Sequence, residues 1–370
     1  MDVISDAVHF FQYYVLSFIV VLGIMIFFHE LGHFLVAKSF GVKVLKFALG
    51  FGPVLVGKKF GDTEYSIRCF PLGGFVKMLG EDLDDEGEEA LDLPPEEDAK
   101  SFNNQHPLKR MAIVAAGPFF NLVLALIMFC SVYLISGINV IYPEIGQITE
   151  HSPAHDAGFV KGDVVTAIDG KKVETWADIK NFVKDKTGTP LVVTVRRDDQ
   201  LADLTVVPEE TTSKNEFGEE VKTSLIGIVA SGKLETIEMG PWQAVKTGFK
   251  ETYRWIELTF LVVGKLFQGD VSIKTLGGPI LIGQMTGQIA QENLGYLVPF
   301  MAIISINLGI LNLFPIPILD GGLIVFLLIE LIMGRPLSIK KREWAQKAGL
   351  FLLIMLMTIV IWNDMARILN

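Results

Sequence analysis

Phe28-His29-Glu30-Leu31-Gly32-His33-Phe34 lies inside an apolar run, Tyr14 to Ala37, that only His29, Glu30 and His33 interrupt before Lys38 closes it. The run is long enough to cross a bilayer as a helix. On a helix, His29 and His33 stand four residues apart, one turn along the same face, so two imidazoles can share one zinc ion. Glu30, beside the first of them, can take a proton from water at such an ion. Ionisable groups at bilayer depth are costly and occur there mainly for function. The plainer reading, two packing histidines with Glu30 reaching toward the basic loop that follows, leaves that cost uncompensated.

Outward from this run the chain keeps its apolar character. It has 370 residues, 50% hydrophobic content and a mean hydropathy of +0.43, a combination rare in soluble domains. Met111 to Ile135 is a second apolar segment. Leu297 to Ile318 is a third, carrying Asn312, Pro315 and Pro317, and Gly349 to Trp362 is a fourth that extends to Leu369 with Asn363, Asp364 and Arg367 at the interface. About four spans are expected. No basic start or small-residue cleavage site precedes the first, which is expected to be retained. Lys38, Lys43, Lys46, Lys58 and Lys59 follow span one, Lys109 and Arg110 precede span two, and Arg335, Lys340, Lys341 and Arg342 separate spans three and four. The positive-inside rule puts these loops in the cytoplasm, and both termini with the segment between spans two and three outside.

The net charge of −10 comes from one place. Glu81 to Asp98 holds eleven acids and no Lys or Arg, and the remainder nets about +1. A solvated, disordered loop is expected there. The total charge therefore indicates no acidic or basic partner, and no nucleic acid is expected. Cys69 and Cys130 are too few and too scattered for a disulfide framework or a metal site.

Phe47 to Met78 reads as β-structure. Val54 to Phe60 and Thr63 to Cys69 flank the turn Gly61-Asp62, and Pro71-Leu72-Gly73-Gly74 is expected to break the chain before Phe75-Val76. So apolar a hairpin can dip into the membrane where protein covers its backbone. From Pro143 to about Ser231 short β-rich runs alternate with turns. Ile145 to Ile148, Val164 to Ile168, Leu191 to Arg196 and Leu204 to Val207 are candidate strands, Trp176 to Val183 has helical spacing, and the whole is a soluble domain of about 90 residues. Trp242 to Phe267 mixes apolar and charged residues as an amphipathic helix on the membrane does, with a fifth span as the rival. The expected organisation is 1–40, first transmembrane helix; 41–110, cytoplasmic-side hairpin and acidic loop; 111–137, second transmembrane helix; 138–232, soluble domain; 233–296, amphipathic helical connector; 297–334, third transmembrane helix; and 335–370, basic loop and fourth transmembrane helix.

A catalytic zinc usually has a third protein ligand beside a water. Asp320 is the candidate, in Asn312-x-x-Pro315-x-Pro317-x-x-Asp320-Gly321-Gly322. Two prolines two apart unwind the helix and two glycines permit a tight path, so the carboxylate can turn toward His29 and His33. A helix-capping Asp is the alternative. Asn312 can hydrogen-bond a peptide backbone near the metal or a neighbouring helix. The strand Gly73-Gly74-Phe75-Val76 can pair edge-on with an unwound substrate, or its glycines can serve only a turn.

Together these segments resemble the site-2 protease family, and within it the bacterial branch that acts on membrane-bound anti-sigma factors. The resemblance rests on His29-Glu30-Leu31-Gly32-His33, on Phe70-Pro71-Leu72-Gly73-Gly74-Phe75-Val76-Lys77, on Ala116-Gly117-Pro118 with Asn121, and on Asn312-Leu313-Phe314-Pro315-Ile316-Pro317-Ile318-Leu319-Asp320-Gly321-Gly322. It covers about residues 20 to 365. Ser152-Pro153-Ala154-x-x-Ala157-Gly158, Lys161-Gly162-Asp163 and Ile168-Asp169-Gly170 make the soluble segment similar to a bacterial PDZ domain, with one copy where enterobacterial members carry two. The fold class implied is a polytopic α-helical membrane protein of about four transmembrane helices, with a membrane-associated β-hairpin and one inserted PDZ-like α+β domain.

The resemblance also implies a zinc-dependent intramembrane endopeptidase of the bacterial cytoplasmic membrane, with the PDZ-like domain on the periplasmic side. It implies Zn2+ on His29, His33 and Asp320, Glu30 as general base, and substrate contacts from Asn312, Gly74, Phe75 and Val76. Its partners are then the lipid bilayer and single-pass membrane proteins, such as anti-sigma factors or signal-peptide remnants, already shortened by another protease. A non-catalytic membrane adaptor has no use for Glu30, and a metal transporter needs a polar path through several spans that this sequence lacks.

Overall fold

A computed structural model describes residues 11–81, 94–214 and 220–369. Among the described residues four helical stretches are long and apolar enough to cross a membrane, Phe11–Ser39, Pro107–Ser136, Leu294–Asn312 and Ile339–Leu369, the number expected. The chain divides into two units, Met1–Val132 with Val245–Asn370, and Tyr133–Ala244.

In the first unit a π-helical turn, Phe11–Leu16, leads into α1 (Ser17–Ser39), which ends just before Gly41 at φ 78°. β1 (Val44–Phe60) and β2 (Thr63–Met78) form an antiparallel hairpin about Gly61. Both strands fold back on themselves: residues 46–49 lie between 64–67 on one side and 74–77 on the other. The break expected at residues 71–74 does not occur, and β2 runs through them. Gly73 takes φ 144° with the Phe51 ring in the space a Cβ would need, so the strand bends sharply without leaving the sheet.

Most of the acidic run, residues 82–93, lies outside the described residues. The disordered loop expected there is corrected at its far end. Pro95–Asp98 is a helical turn opened by proline, and Lys43 Nζ donates to Glu97 Oε1 at 2.6 Å. α2 (Pro107–Ser136) follows.

The second unit is built from strands β3 (Ile138–Ile141), β4 (Ile145–Ile148), β5 (Val164–Ile168) and β6 (Lys171–Lys172), then α3 (Trp176–Val183). After α3 come β7 (Leu191–Arg197), β8 (Gln200–Val206), β9 (Glu209–Lys214), β10 (Glu220–Leu225), β11 (Ile228–Ala230) and β12 (Leu234–Ile237). One sheet has the order β6-β5-β7-β8, while β4 pairs with β11, β3 with β12 and β9 with β10. In β7, Leu191, Val193 and Val195 alternate inward onto Ile145, Ile168, Ile179 and Val183, and α3 closes this core from a capping box at Thr175 and Asp178. Residues 234–237, expected to open the helical connector, instead form β12, because each of its four residues finds a partner in β3.

The chain returns to the first unit as α4 (Pro241–Gln268), α5 (Pro279–Glu292), α6 (Leu297–Asn312), α7 (Asp320–Met333) and α8 (Ile339–Leu369). α4 is not among the helices apolar enough to cross. Asp364, buried in α8, accepts from the amides of Gly278, Ile280 and Leu281 and so caps α5 from a neighbouring helix. One core cluster joins α1, the hairpin, α2 and α7 through Ala37, Val44, Phe47, Val76, Ile113 and Leu327. Where this cluster lies within the bilayer, close van der Waals packing rather than exclusion of water holds it together. Beside it Arg110, 3% exposed, pairs with Glu330, which also faces Arg342 at 3.5 Å.

Candidate metal centre

Position 29 on α1 is buried, and so is position 33 a turn later. α2 comes close to both because its contact residues are small. A Cβ on Gly32 would lie 2.3 Å from the Ala116 carbonyl oxygen, and one on Gly117 would lie 2.3 Å from His33 Nε2. Two glycines thus let the helices approach until the imidazoles lie directly over the α2 backbone. α6 closes the far side of α2, with Gly309 against the Pro118 carbonyl and Ser305 Oγ donating to the Asn121 carbonyl at 2.8 Å.

Asp320 arrives from the break after α6. Leu313 and Phe314 end the helix with tight turns, and Asp320 opens α7. Gly321 packs against the Leu313 and Phe314 carbonyls and Gly322 against Ile316 and Pro317, at separations no side chain would permit. The break folds onto the start of α7, which turns Asp320 inward. His29 Nε2 then lies 3.1 Å from Asp320 Oδ2, and His33 Nε2 lies 3.7 Å from Asp320 Oδ1. The two Nε2 atoms are 3.3 Å apart. Among the described residues this is the one group of three or more His, Cys, Asp or Glu placed to hold a metal ion.

The donor chemistry fits a divalent cation. Tetrahedral ligands about 2.0–2.1 Å from zinc lie about 3.3–3.4 Å apart, the middle of the three distances found here. His33 Nδ1 must donate to the Ile113 carbonyl at 2.9 Å, because a carbonyl only accepts. That fixes the tautomer and leaves the Nε2 lone pair facing the cluster. His29 Nδ1 meets the Asn121 amide at 3.2 Å, and Asn121 Oδ1 is buried without a partner. Turning that amide by half a rotation sets its oxygen on Nδ1–H and frees the second Nε2 lone pair in the same way. Asp320 Oδ2 is also buried without a hydrogen bond. Two imine lone pairs and a carboxylate facing one another repel unless a cation lies between them.

Glu30 sits close enough to His29 and Asp320 for their charges to act on its carboxyl. Its other flank is the strand: a Cβ on Gly74 would stand 2.9 Å from Glu30 Cγ and from Ile26 Cγ2. Residues 74–77 pair with β1 on one edge, and no further strand joins them among the described residues. The Phe75 ring stacks on Phe51, centroids 6.5 Å apart, beneath the Arg68 guanidinium at 4.9 Å. Val76 turns its side chain into the core, so only its main chain is available to a ligand. Asn312 ends α6 half-buried, its amide without a hydrogen bond among the described residues. Gly117 and Asn121 enter the sequence reading only as part of a resemblance. A glycine and an asparagine four apart on an apolar helix declare no role until the histidines they serve are placed beside them.

A multi-pass bundle with a histidine pair and a distant aspartate turned to one interior point defines a membrane-embedded metallopeptidase. The chain belongs to peptidase family M50, the site-2 proteases, whose family model matches residues 17–356, and it is a metalloendopeptidase. It is 33% identical to the zinc metalloprotease RasP of Geobacillus kaustophilus, over 95% of this chain and 98% of the relative. A protein of Agrobacterium fabrum, named provisionally as a zinc metalloprotease, is 37% identical over the full length of both chains. Among solved structures, the PDZ domain of an SdrC-like protein from Listeria monocytogenes covers 25% of this chain and 90% of its own, at 18% identity and a TM-score of 0.20, a similarity too slight to bear on the fold.

Proposed function

We propose that this chain is a zinc-dependent protease of a bacterial inner membrane that cuts within the transmembrane segments of single-pass membrane proteins already shortened outside, anti-sigma factors or signal-peptide remnants among them. The observation that carries this reading is the meeting of His29 Nε2, His33 Nε2 and the Asp320 carboxylate inside a bundle of bilayer-length helices.

His29, His33 and Asp320 would hold the zinc, which when bound supplies Lewis acidity that polarises the scissile carbonyl and acidifies an adjacent water. Glu30 takes the proton of that water and passes it to the leaving amide nitrogen. Asn121 and the Ile113 carbonyl keep the two rings oriented. A transmembrane helix resists hydrolysis because its amides are hydrogen-bonded to one another, so the substrate must be unwound first. The free edge at residues 74–76 can receive the unwound backbone as an added strand beside Glu30, and the Asn312 amide would hydrogen-bond it.

The exposed apolar side chains of the hairpin, Leu55, Val56 and Phe60 at 63–76% exposure, suit a segment dipping into the membrane from the cytoplasmic side. The second unit then lies outside. Its groove between α3 and residues 223–229, read as the peptide site of a PDZ-like domain, would hold the shortened end of the substrate.

The test is Glu30→Gln, purified in detergent and presented with a single-pass substrate. Zinc content is expected to equal that of the parent, while cleavage falls by a factor of about 100 or more. Undiminished cleavage by the variant, or a parent protein that retains no divalent metal, would sink the proposal.

A further inference from the structure

The groove of the second unit encloses about 470 Å³. Trp176, Ile179, Val183, Ile226 and Ile228 give it an apolar floor. Two cations, Lys180 and Lys184, stand along its α3 wall, and no acid lines it. Both lysines are exposed, and neither ammonium has an ion pair or hydrogen bond among the described residues. Of the other charged groups near α3, Asp178 caps the helix and Lys222 pairs with Glu210, while Asp185, next to Lys184, lines a separate pocket outside the groove. Among the described residues β11 pairs with β4 alone, which leaves its other edge for an added strand.

The spacing of the lysines sets what they can read. Side chains four apart on a helix start about 6 Å apart. Alternate side chains of an extended chain point the same way and recur about every 6.6–6.8 Å. A peptide lying against β11 would therefore offer every second side chain to α3, nearly in step with Lys180 and Lys184.

We propose that this groove selects an extended peptide with two acidic side chains in the pattern acid-x-acid, carried on the outer stub of the membrane substrate. The inference rests on the reading of the second unit as a peptide site and adds to it the class of sequence selected. Lys180 and Lys184 are then specificity-determining residues, remote from the metal centre.

The experiment measures fluorescence anisotropy of labelled ten-residue peptides with the full chain in detergent micelles. One peptide carries Asp-x-Asp among apolar residues, one Asn-x-Asn, and one two adjacent aspartates. The Asp-x-Asp peptide is expected to bind about five-fold tighter than Asn-x-Asn, and the adjacent pair, with one acid turned away, about two-fold tighter. In Lys180→Gln/Lys184→Gln the three affinities should converge, with the melting temperature unchanged. Raising salt should shrink the acid preference in the parent. Equal binding of acidic and amide peptides overturns the selectivity and leaves the groove reading standing. Failure of every peptide to bind overturns the groove reading with it.

Discussion

At the scale of single residues, the centre depends as much on what is missing as on what is present. Gly117 has no side chain at the point where His33 Nε2 and His29 Cε1 crowd α2, 2.3 and 3.0 Å from where a Cβ would be. Neither ring can easily give way. His33 is held by its bond to the Ile113 carbonyl, and His29 by Asn121. Gly117→Ala is therefore expected to turn the Nε2 lone pairs off their common point and lower zinc affinity about 10–100-fold, as loss of an orienting contact does. Metal content after dialysis against a chelator measures it, with circular dichroism to show the helices intact. A Gly117→Ala protein that retains zinc like the parent would mean that the rings have room the geometry denies them. Glu30→Gln is expected to have the opposite signature, with metal kept and turnover lost, so the two variants would separate holding the ion from using it.

At the scale of elements, α7 positions Asp320, and three things position α7: the glycines packed against the break, Leu327 in the shared core, and Glu330 between two arginines. Arg110 and Arg342 are buried with 3% and 9% of their side chains exposed, so Glu330 neutralises charge that water reaches poorly. Glu330→Gln leaves two uncompensated guanidiniums and is expected to cost about 3–5 kcal/mol. Replacing all three by apolar residues of like size should restore most of that stability, since breaking such a cluster costs more than never forming it. Thermal melts in detergent decide it, and a Glu330→Gln protein melting with the parent would show that the cluster is solvated.

Much at this scale is legible in the sequence. Trp176–Val183 and Val164–Ile168 end where periodicity puts them, and Gly61-Asp62 turns the hairpin. The prolines and glycines around Asp320 mark a break. Residues 71–74 mislead because proline and glycine also signal a bend inside a strand, and only the packing of Phe51 over Gly73 tells bend from break. β9 and β10 leave no signal because the polar residues Glu209, Glu210, Thr212 and Lys222 are exposed and the two strands carry no apolar alternation. The approach of Asp320 to the histidines, nearly three hundred residues apart, is a property of packing. Spacing shows that a carboxylate can turn inward, and tertiary contact alone shows where it goes.

At the scale of the whole molecule, the depth of the centre sets where a substrate can be cut. His33 lies five residues before Lys38, about 8 Å along the helix axis, whereas His29 lies 18 residues from Phe11 at the other end of the span, about 27 Å. The cluster is thus nearer the end that the basic residues assign to the cytoplasm. The free strand edge at residues 74–76 sits at the same level, because Gly74 touches Glu30. On the proposed reading, a single-pass substrate entering from outside would present the cytoplasmic half of its span to that edge. The scissile bond is therefore expected within about two helical turns of the substrate's cytoplasmic boundary, even when the span is shifted in sequence. Mass spectrometry of the released fragments from a set of substrates, each with its apolar segment lengthened by three residues on the outer side, measures this. A cut that keeps its distance from the cytoplasmic flank supports the depth argument. One that moves outward with each insertion would mean that the outer unit, rather than the buried centre, fixes the register.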